Sequence, residues 1–141
     1  MGAGNVASVL FLCARNAVRS PIAEALTRSF FPGRYHTASA GVLPGDRDPF
    51  VDATLAEIGL NLGDHHPTAL EELADTNFDL AITLSPEAHH RAIELTRTQA
   101  IEVEYWPMPD PTQTMGSREQ ILSAYRDLRE RLAARIRERL G

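Results

Sequence analysis

The chain switches repeatedly between two hydrophobic periods. Val9, Leu10, Phe11 and Leu12 form a continuous apolar run that breaks into a polar loop, the pattern of a strand buried on both faces of a parallel sheet. Beyond the loop, Ile22, Ala23, Leu26 and Phe30 recur at helical spacing. Pro21 suits the first turn of that helix and Ser20 reads as its N-cap. Phe31-Pro32-Gly33 predicts its end. Residues 35–40 predict a weaker strand closed by Gly41, and residues 43–49, rich in Pro, Gly and Asp, a surface loop. Val51, Leu55 and Ile58 share a helical face that stops at Gly59. A further strand is expected over 78–84, followed by Ser85-Pro86 opening a helix that carries Ala88, Ala92, Ile93 and Leu95. Residues 101–106 predict a last strand and 107–116 a proline-rich loop. Ile121, Tyr125, Leu128, Leu132 and Ile136 then mark one face of a long amphipathic helix whose charged face is expected to be solvated.

This alternation predicts an α/β fold: three layers, α/β/α, around a central parallel sheet of about four strands, because parallel neighbours need helical crossovers. The 141 residues suffice for one buried core and not two, so residues 1–141 are expected to form one domain. A net charge of -5 argues against nucleic acid or an anionic membrane as a general partner. Residues 1–5 are small and uncharged, and the apolar run after them has no basic flank and no processing site. Neither a signal peptide nor a membrane span is expected. One cysteine can form neither an intramolecular disulfide nor a multi-cysteine zinc site, and suits a reducing cytoplasm.

The chemistry concentrates where the first strand meets the first helix, the kind of junction at which open α/β sheets bind ligands. There the sequence reads Cys13-Ala14-Arg15-Asn16-Ala17-Val18-Arg19-Ser20. A loop wrapped around an oxyanion offers backbone N–H groups, the helix N-terminus adds partial positive charge, and an arginine grips two oxygens with its fork. The same field favours a thiolate, making Cys13 a nucleophile without a separate base. A lone cysteine after a strand is usually a small buried hydrophobe. Arg19, Ser20 and Pro21 in register reverse that reading. Asp48-Pro49 reads as a turn. The adjacent pairs His65-His66 and His89-His90 lack the spacing to chelate one ion, and Gly2-Ala3-Gly4 precedes the strand instead of following it, so neither a metal nor a dinucleotide site is expected.

The stretch from Phe11 to Ala25 resembles the opening of the low-molecular-weight protein tyrosine phosphatases and of the arsenate reductases that share their fold. Ser39-Ala40-Gly41, Gly59 with His65 after it, the strand from Phe78, and Pro109-Asp110-Pro111 before a final amphipathic helix continue the resemblance in order. It implies a phosphomonoester hydrolase, in the first reading a protein tyrosine phosphatase, with Cys13 attacking phosphorus to give a phosphocysteine. Arg19 and the backbone of Ala14, Arg15, Asn16, Ala17, Val18 and Ser20 would hold the phosphoryl oxygens, and Asp110 would act as acid and then base. Ser20 would donate to the thiolate, and Asn16 would brace the loop with Ser39 and His65 behind it. The resemblance implies no metal or cofactor. The implied substrates are a phosphorylated protein or a small phosphomonoester, the implied oxyanion ligands are phosphate, vanadate and arsenate, and the implied state is a monomer or weak dimer.

Three residues depart from the family pattern. Arg15 stands where glycine is usual; it could add an oxyanion contact, favour doubly charged substrates, or point outward. Val18 replaces a second loop cysteine, which removes a disulfide buffer against oxidation. Thr112 follows the Asp-Pro pair where phosphotyrosine enzymes carry an aromatic residue, so Leu43 and Thr112 are the expected substrate walls and furnish a phenol slot poorly. Two other readings therefore stay open. One is an arsenate reductase that hands its adduct to an external thiol, since a disulfide cascade needs cysteines this chain lacks. The other is a non-catalytic oxyanion-binding module.

Overall fold

Four parallel strands, β1 (Ser8–Cys13), β2 (His36–Gly41), β3 (Leu80–Thr83) and β4 (Glu102–Tyr105), form one sheet in the order β2-β1-β3-β4. The computed structural model describes residues 6–74 and 77–141, so the segment 1–5 with Gly2-Ala3-Gly4 lies outside the described residues. Three helices connect the strands, α1 (Arg19–Phe30), α2 (Pro49–Ala56) and α3 (Pro86–Leu95), and α4 (Arg118–Leu140) follows β4. The register aligns Cys13 with Gly41 and Leu12 with Thr83, so β1 is central and its carboxyl end lies between two neighbours.

The apolar run of β1 separates into two faces, as strand geometry requires. Val9, Phe11 and Cys13 join Leu80 and Ile82 under α1, α2 and α4, whereas Leu10, Leu12 and Ala81 pack toward α3 and Leu70. Both faces are covered, which gives the three layers. On α4, Tyr125, Leu128, Leu132, Ile136 and Leu140 are buried. Full burial of a Leu or Ile contributes about 1.5–3 kcal/mol, against roughly 0–1 kcal/mol for an exposed ion pair. The apolar face therefore decides how α4 docks.

Several local expectations are corrected. Ser20 is not the N-cap of α1: the helix begins at Arg19, Val18 occupies the cap position, and no side chain caps it. Ile58 and Ile93 are 42% and 44% exposed, because α2 ends at Ala56 and the buried side of α3 runs through Ala88, Ala92 and Leu95. Asp48-Pro49 is more than a turn. Asp48 is the N-cap of α2, its Oδ1 accepting from the Phe50 N–H at 2.9 Å, and Pro49 opens the helix. Helix α2 ends three residues before the expected stop, and the turn that follows it closes at Gly59, whose φ of +76° lies in the left-handed region.

The charged face of α4 is only partly solvated. Arg129 is 9% exposed and donates to the Thr54 carbonyl at 2.8 Å and to Glu57 at 2.9 Å. Arg126 donates to both Glu57 oxygens, with its closest contact at 2.7 Å. Hydrogen bonds from Arg126 and then Arg129 hold the Glu57 carboxyl down at about 2. These contacts tie α4 to the end of α2, the helix that Asp48 opens. Among the described residues no helix is long and apolar enough to cross a membrane.

Candidate active site

Cys13 is the last residue of β1 and Arg19 the first of α1, so sheet and helix fix the two ends of the intervening loop. Residues 14–18 turn between them. The turn is made by Asn16, the one described non-glycine residue with positive φ, at 56°. Asparagine tolerates the left-handed region better than most residues, and here every polar group of Asn16 is engaged. Its N–H donates to the Cys13 sulfur at 3.2 Å, its side-chain amide donates to Ser20 Oγ at 2.9 Å, and its Oδ1 accepts from the Thr68 N–H at 2.9 Å. Its carbonyl lies 3.1 Å from His65 Nε2. A carbonyl only accepts, so Nε2 carries the proton in this pairing.

Glycine at position 41 lets β2 approach the loop. A Cβ there would lie 2.8 Å from both the Arg15 carbonyl carbon and the Asn16 nitrogen. The loop is also bonded along its outer side, where Val42, Leu43 and Gly45 donate to the carbonyls of Cys13, Ala14 and Arg15 at 3.2, 2.9 and 3.0 Å.

Cys13 is buried beneath this loop. Ser20 Oγ lies 3.0 Å from Sγ. Asn16 donates to that oxygen and leaves the Ser20 hydroxyl hydrogen free to point at the sulfur; toward a thiolate, which can only accept, Ser20 is the second donor beside the Asn16 N–H. The first turn of α1 contains no acidic residue and its cap position no side-chain acceptor, so its N–H groups remain available to an anion. Arg19 crosses to the opposite loop and donates to the Met108 carbonyl at 3.3 Å.

A cleft of about 480 Å³ opens above the sulfur. The loop residues Cys13, Ala14, Arg15, Ala17, Val18 and Arg19 line it, as do Asp110 and Thr112 across the opening. Asn16 and Ser20 are fully buried behind it. Asp110 Oδ1 accepts from the Thr112 N–H at 3.0 Å and from the Thr112 hydroxyl at 2.6 Å, which leaves Oδ2 without a bond to either.

Two expected members lie elsewhere. Leu43 is 76% exposed and does not line the cleft; Asp46, Arg47, Asp48 and Pro49 form that wall. Ser39 does not back Asn16, because its hydroxyl donates to Glu24 at 2.7 Å, and Glu24 also pairs with Arg28. Thr68 takes the place assigned to Ser39.

Asp48 is the member that sequence reasoning missed. Its Oδ2 accepts from the Tyr125 hydroxyl at 2.5 Å, linking the middle of α4 to the cleft wall. Burial, reinforced by the Asp48 hydrogen bond, pushes the Tyr125 phenol well above its usual range. The signal was present in sequence, since an Asp-Pro pair ahead of a helical pattern is a cap signature of the same kind as Ser85-Pro86.

A larger hollow of about 530 Å³ lies behind α1, lined by Glu24, Arg28 and residues 59–62 among others, and Cys13 is not part of it. Among the described residues no group of three or more His, Cys, Asp and Glu side chains could hold a metal ion.

Residues 8–140 match the family described as low molecular weight phosphotyrosine protein phosphatase. The chain is 25% identical to an arsenate reductase of Shouchella clausii (strain KSM-K16) over 130 residues, 92% of each chain. Among solved structures it resembles the tyrosine phosphatase Wzb from Escherichia coli K30, in complex with sulphate, with a TM-score of 0.76 and 25% identity over 96% of this chain and 99% of that one. An arsenate reductase in the phosphate binding state matches with a TM-score of 0.73 and 24% identity, covering 94% of this chain and 95% of that one.

Proposed function

The chain belongs to the low molecular weight phosphotyrosine protein phosphatase family, and we propose that it is a cysteine-dependent phosphomonoester hydrolase, acting on phosphotyrosine in proteins. The observation that carries this reading is that one cleft holds a sulfur with two hydrogen-bond donors, an arginine at a helix start and, across the opening, an aspartate with one free oxygen.

In the proposed reaction the Cys13 thiolate attacks phosphorus and the bond to the leaving oxygen breaks. Asp110 gives its proton to that oxygen, releasing the alcohol and leaving a phosphocysteine. Arg19 and the amides of residues 14–19 hold the other phosphoryl oxygens. Water then attacks phosphorus, Asp110 takes its proton, and inorganic phosphate and the thiolate are regenerated. The Ser20 hydroxyl and the Asn16 N–H stabilise the thiolate as attacking and as departing group.

A second reading, arsenate reduction with an external thiol, is favoured by the names of the curated relatives. Arsenate would occupy the same cradle, and the single cysteine would pass its adduct to a small thiol or redoxin.

The deciding experiment assays purified protein side by side with an aryl phosphate and with arsenate plus small thiols and redoxins. The phosphatase reading expects phosphate release, abolished in Cys13→Ser, with Asp110→Asn slowing turnover roughly 10²–10⁴-fold. Arsenate-dependent thiol oxidation with negligible phosphate release would establish the second reading instead.

A further inference from the structure

The charges around the cleft are unequally committed. Arg19 donates to the Met108 carbonyl and, in the reaction proposed above, holds the phosphoryl group. Arg47 forks onto Asp52, with its closest contact at 2.8 Å, and also donates to the carbonyls of Gly63 and His65 at 3.0 Å. Of the opposing carboxylates, Asp48 is held by the Phe50 N–H and the Tyr125 hydroxyl, and Asp110 by Thr112. Asp46 is exposed on the same wall.

Arg15 differs from the other two arginines. It lines the cleft, is exposed, and takes part in none of the ion pairs or side-chain hydrogen bonds among the described residues. Its backbone and stem are nevertheless placed beside Gly45. Its carbonyl accepts from the Gly45 N–H at 3.0 Å, and its Cβ and Cδ lie 3.3 Å from where a Cβ on Gly45 would stand. The stem thus lies along the loop after β2, on a residue that lines the cleft. An unpaired guanidinium beside a phosphate cradle is suited to a carboxylate or a second phosphate. Among the described residues no aromatic side chain lines the cleft to compete by stacking.

We propose that Arg15 is the specificity-determining residue of this cleft and selects phosphomonoesters that carry a second anionic group close to the phosphoryl oxygen. This rests on the phosphatase reading above and names its substrate class. Asp46, on the same rim, opposes the selection and sets its strength.

The test is calorimetric binding to the Cys13→Ser protein, which does not depend on turnover. One arm compares 2-phosphoglycolate with ethyl phosphate; the other compares phosphotyrosyl peptides with Asp or Asn beside the phosphotyrosine. The acidic ligand is expected to bind roughly three- to tenfold more tightly in at least one arm, and the arm that responds distinguishes a small phospho-acid from a phosphoprotein. Adding Arg15→Gln is expected to bring the ratio close to one, adding Asp46→Asn to widen it, and raising salt to shrink it. No preference for the acidic ligands, or an equal ratio in Arg15→Gln, overturns the proposal. Phosphate release by the wild-type protein from p-nitrophenyl phosphate is scored separately. If that is absent while the binding ratio responds to Arg15, the phosphatase reading fails and the anion selection stands.

Discussion

The hydroxyl of Ser20 lies 3.0 Å from the sulfur of Cys13 and accepts from the amide of Asn16 at 2.9 Å, so its own hydrogen is free to serve a Cys13 thiolate. A residue suited by type to capping a helix is diverted to the nucleophile, and the helix start is left open for an anion. Removing one preorganised donor from a developing or departing charge costs about 10²–10³-fold in rate. Ser20→Ala is expected to lower kcat by about that factor with little change in KM. Rapid-quench trapping should show whether breakdown of a phosphocysteine has become the slow step; unchanged kcat would remove Ser20 from the mechanism.

Gly41 controls the loop from the neighbouring strand. A methyl group at this position meets backbone atoms at 2.8 Å, so the loop must shift. Gly41→Ala is expected to weaken vanadate binding and lower kcat/KM by at least tenfold, since displacement of a cradle by about 1 Å can cost 10²-fold. Gly33→Ala is the control: its Cβ meets nothing within 4 Å, although its φ of +74° still strains the turn. It should lose stability and leave kcat intact.

Burial of Tyr125, reinforced by its hydrogen bond to Asp48, gives stability a high-pH dependence. Tyr125 has a raised phenol in the folded state, so this contribution is fully present below about 10, the ordinary tyrosine value, and is lost as pH rises beyond it. Denaturant unfolding from pH 8 to 11 should show a decline that Tyr125→Phe flattens. The same variant should cost about 1.5–3 kcal/mol at neutral pH, the range for a hydrogen bond to a charged group. A parallel decline in both proteins would refute the assignment.

Glu57 gives the corresponding acid dependence. Its carboxyl is held at about 2 by Arg126 and Arg129, below the ordinary 4.5. The stabilisation is present above about 4.5 and disappears as pH falls toward 2. The Glu57 side chain is one-third exposed, so salt should weaken the effect. Thermal melts of Glu57→Gln are expected to lie below wild type at pH 7 and to converge with it near pH 2, with a smaller gap at high salt.

Local pattern determined most of the frame. The run from Val9 to Leu12 is apolar at every position because both faces of β1 are covered. The helical spacing on α4 marks the side that docks, and the arrangement of Cys13, Arg19, Ser20 and Pro21 marks the loop. Asp110 is singled out by the family resemblance, which places the acid in the Asp-Pro pair ahead of the last helix. These features depend on residues close in sequence, whose periodicity or loop geometry is encoded within a few positions.

Only the tertiary structure decided which distant groups complete the site. Thr68 and not Ser39 meets Asn16, because residue 68 reaches Asn16 Oδ1 while the Ser39 hydroxyl is taken by Glu24. Asp46 to Pro49 and not Leu43 form the wall, and Tyr125 reaches Asp48 across 77 positions of chain. Such pairings arise when helices pack on a sheet, and no local period records which side chains then come within hydrogen-bond distance. Arg15 shows the division most clearly: its identity and place in the loop are plain in sequence, whereas its lack of an ion-pair partner follows from where Arg47, Asp48 and Asp52 come to lie.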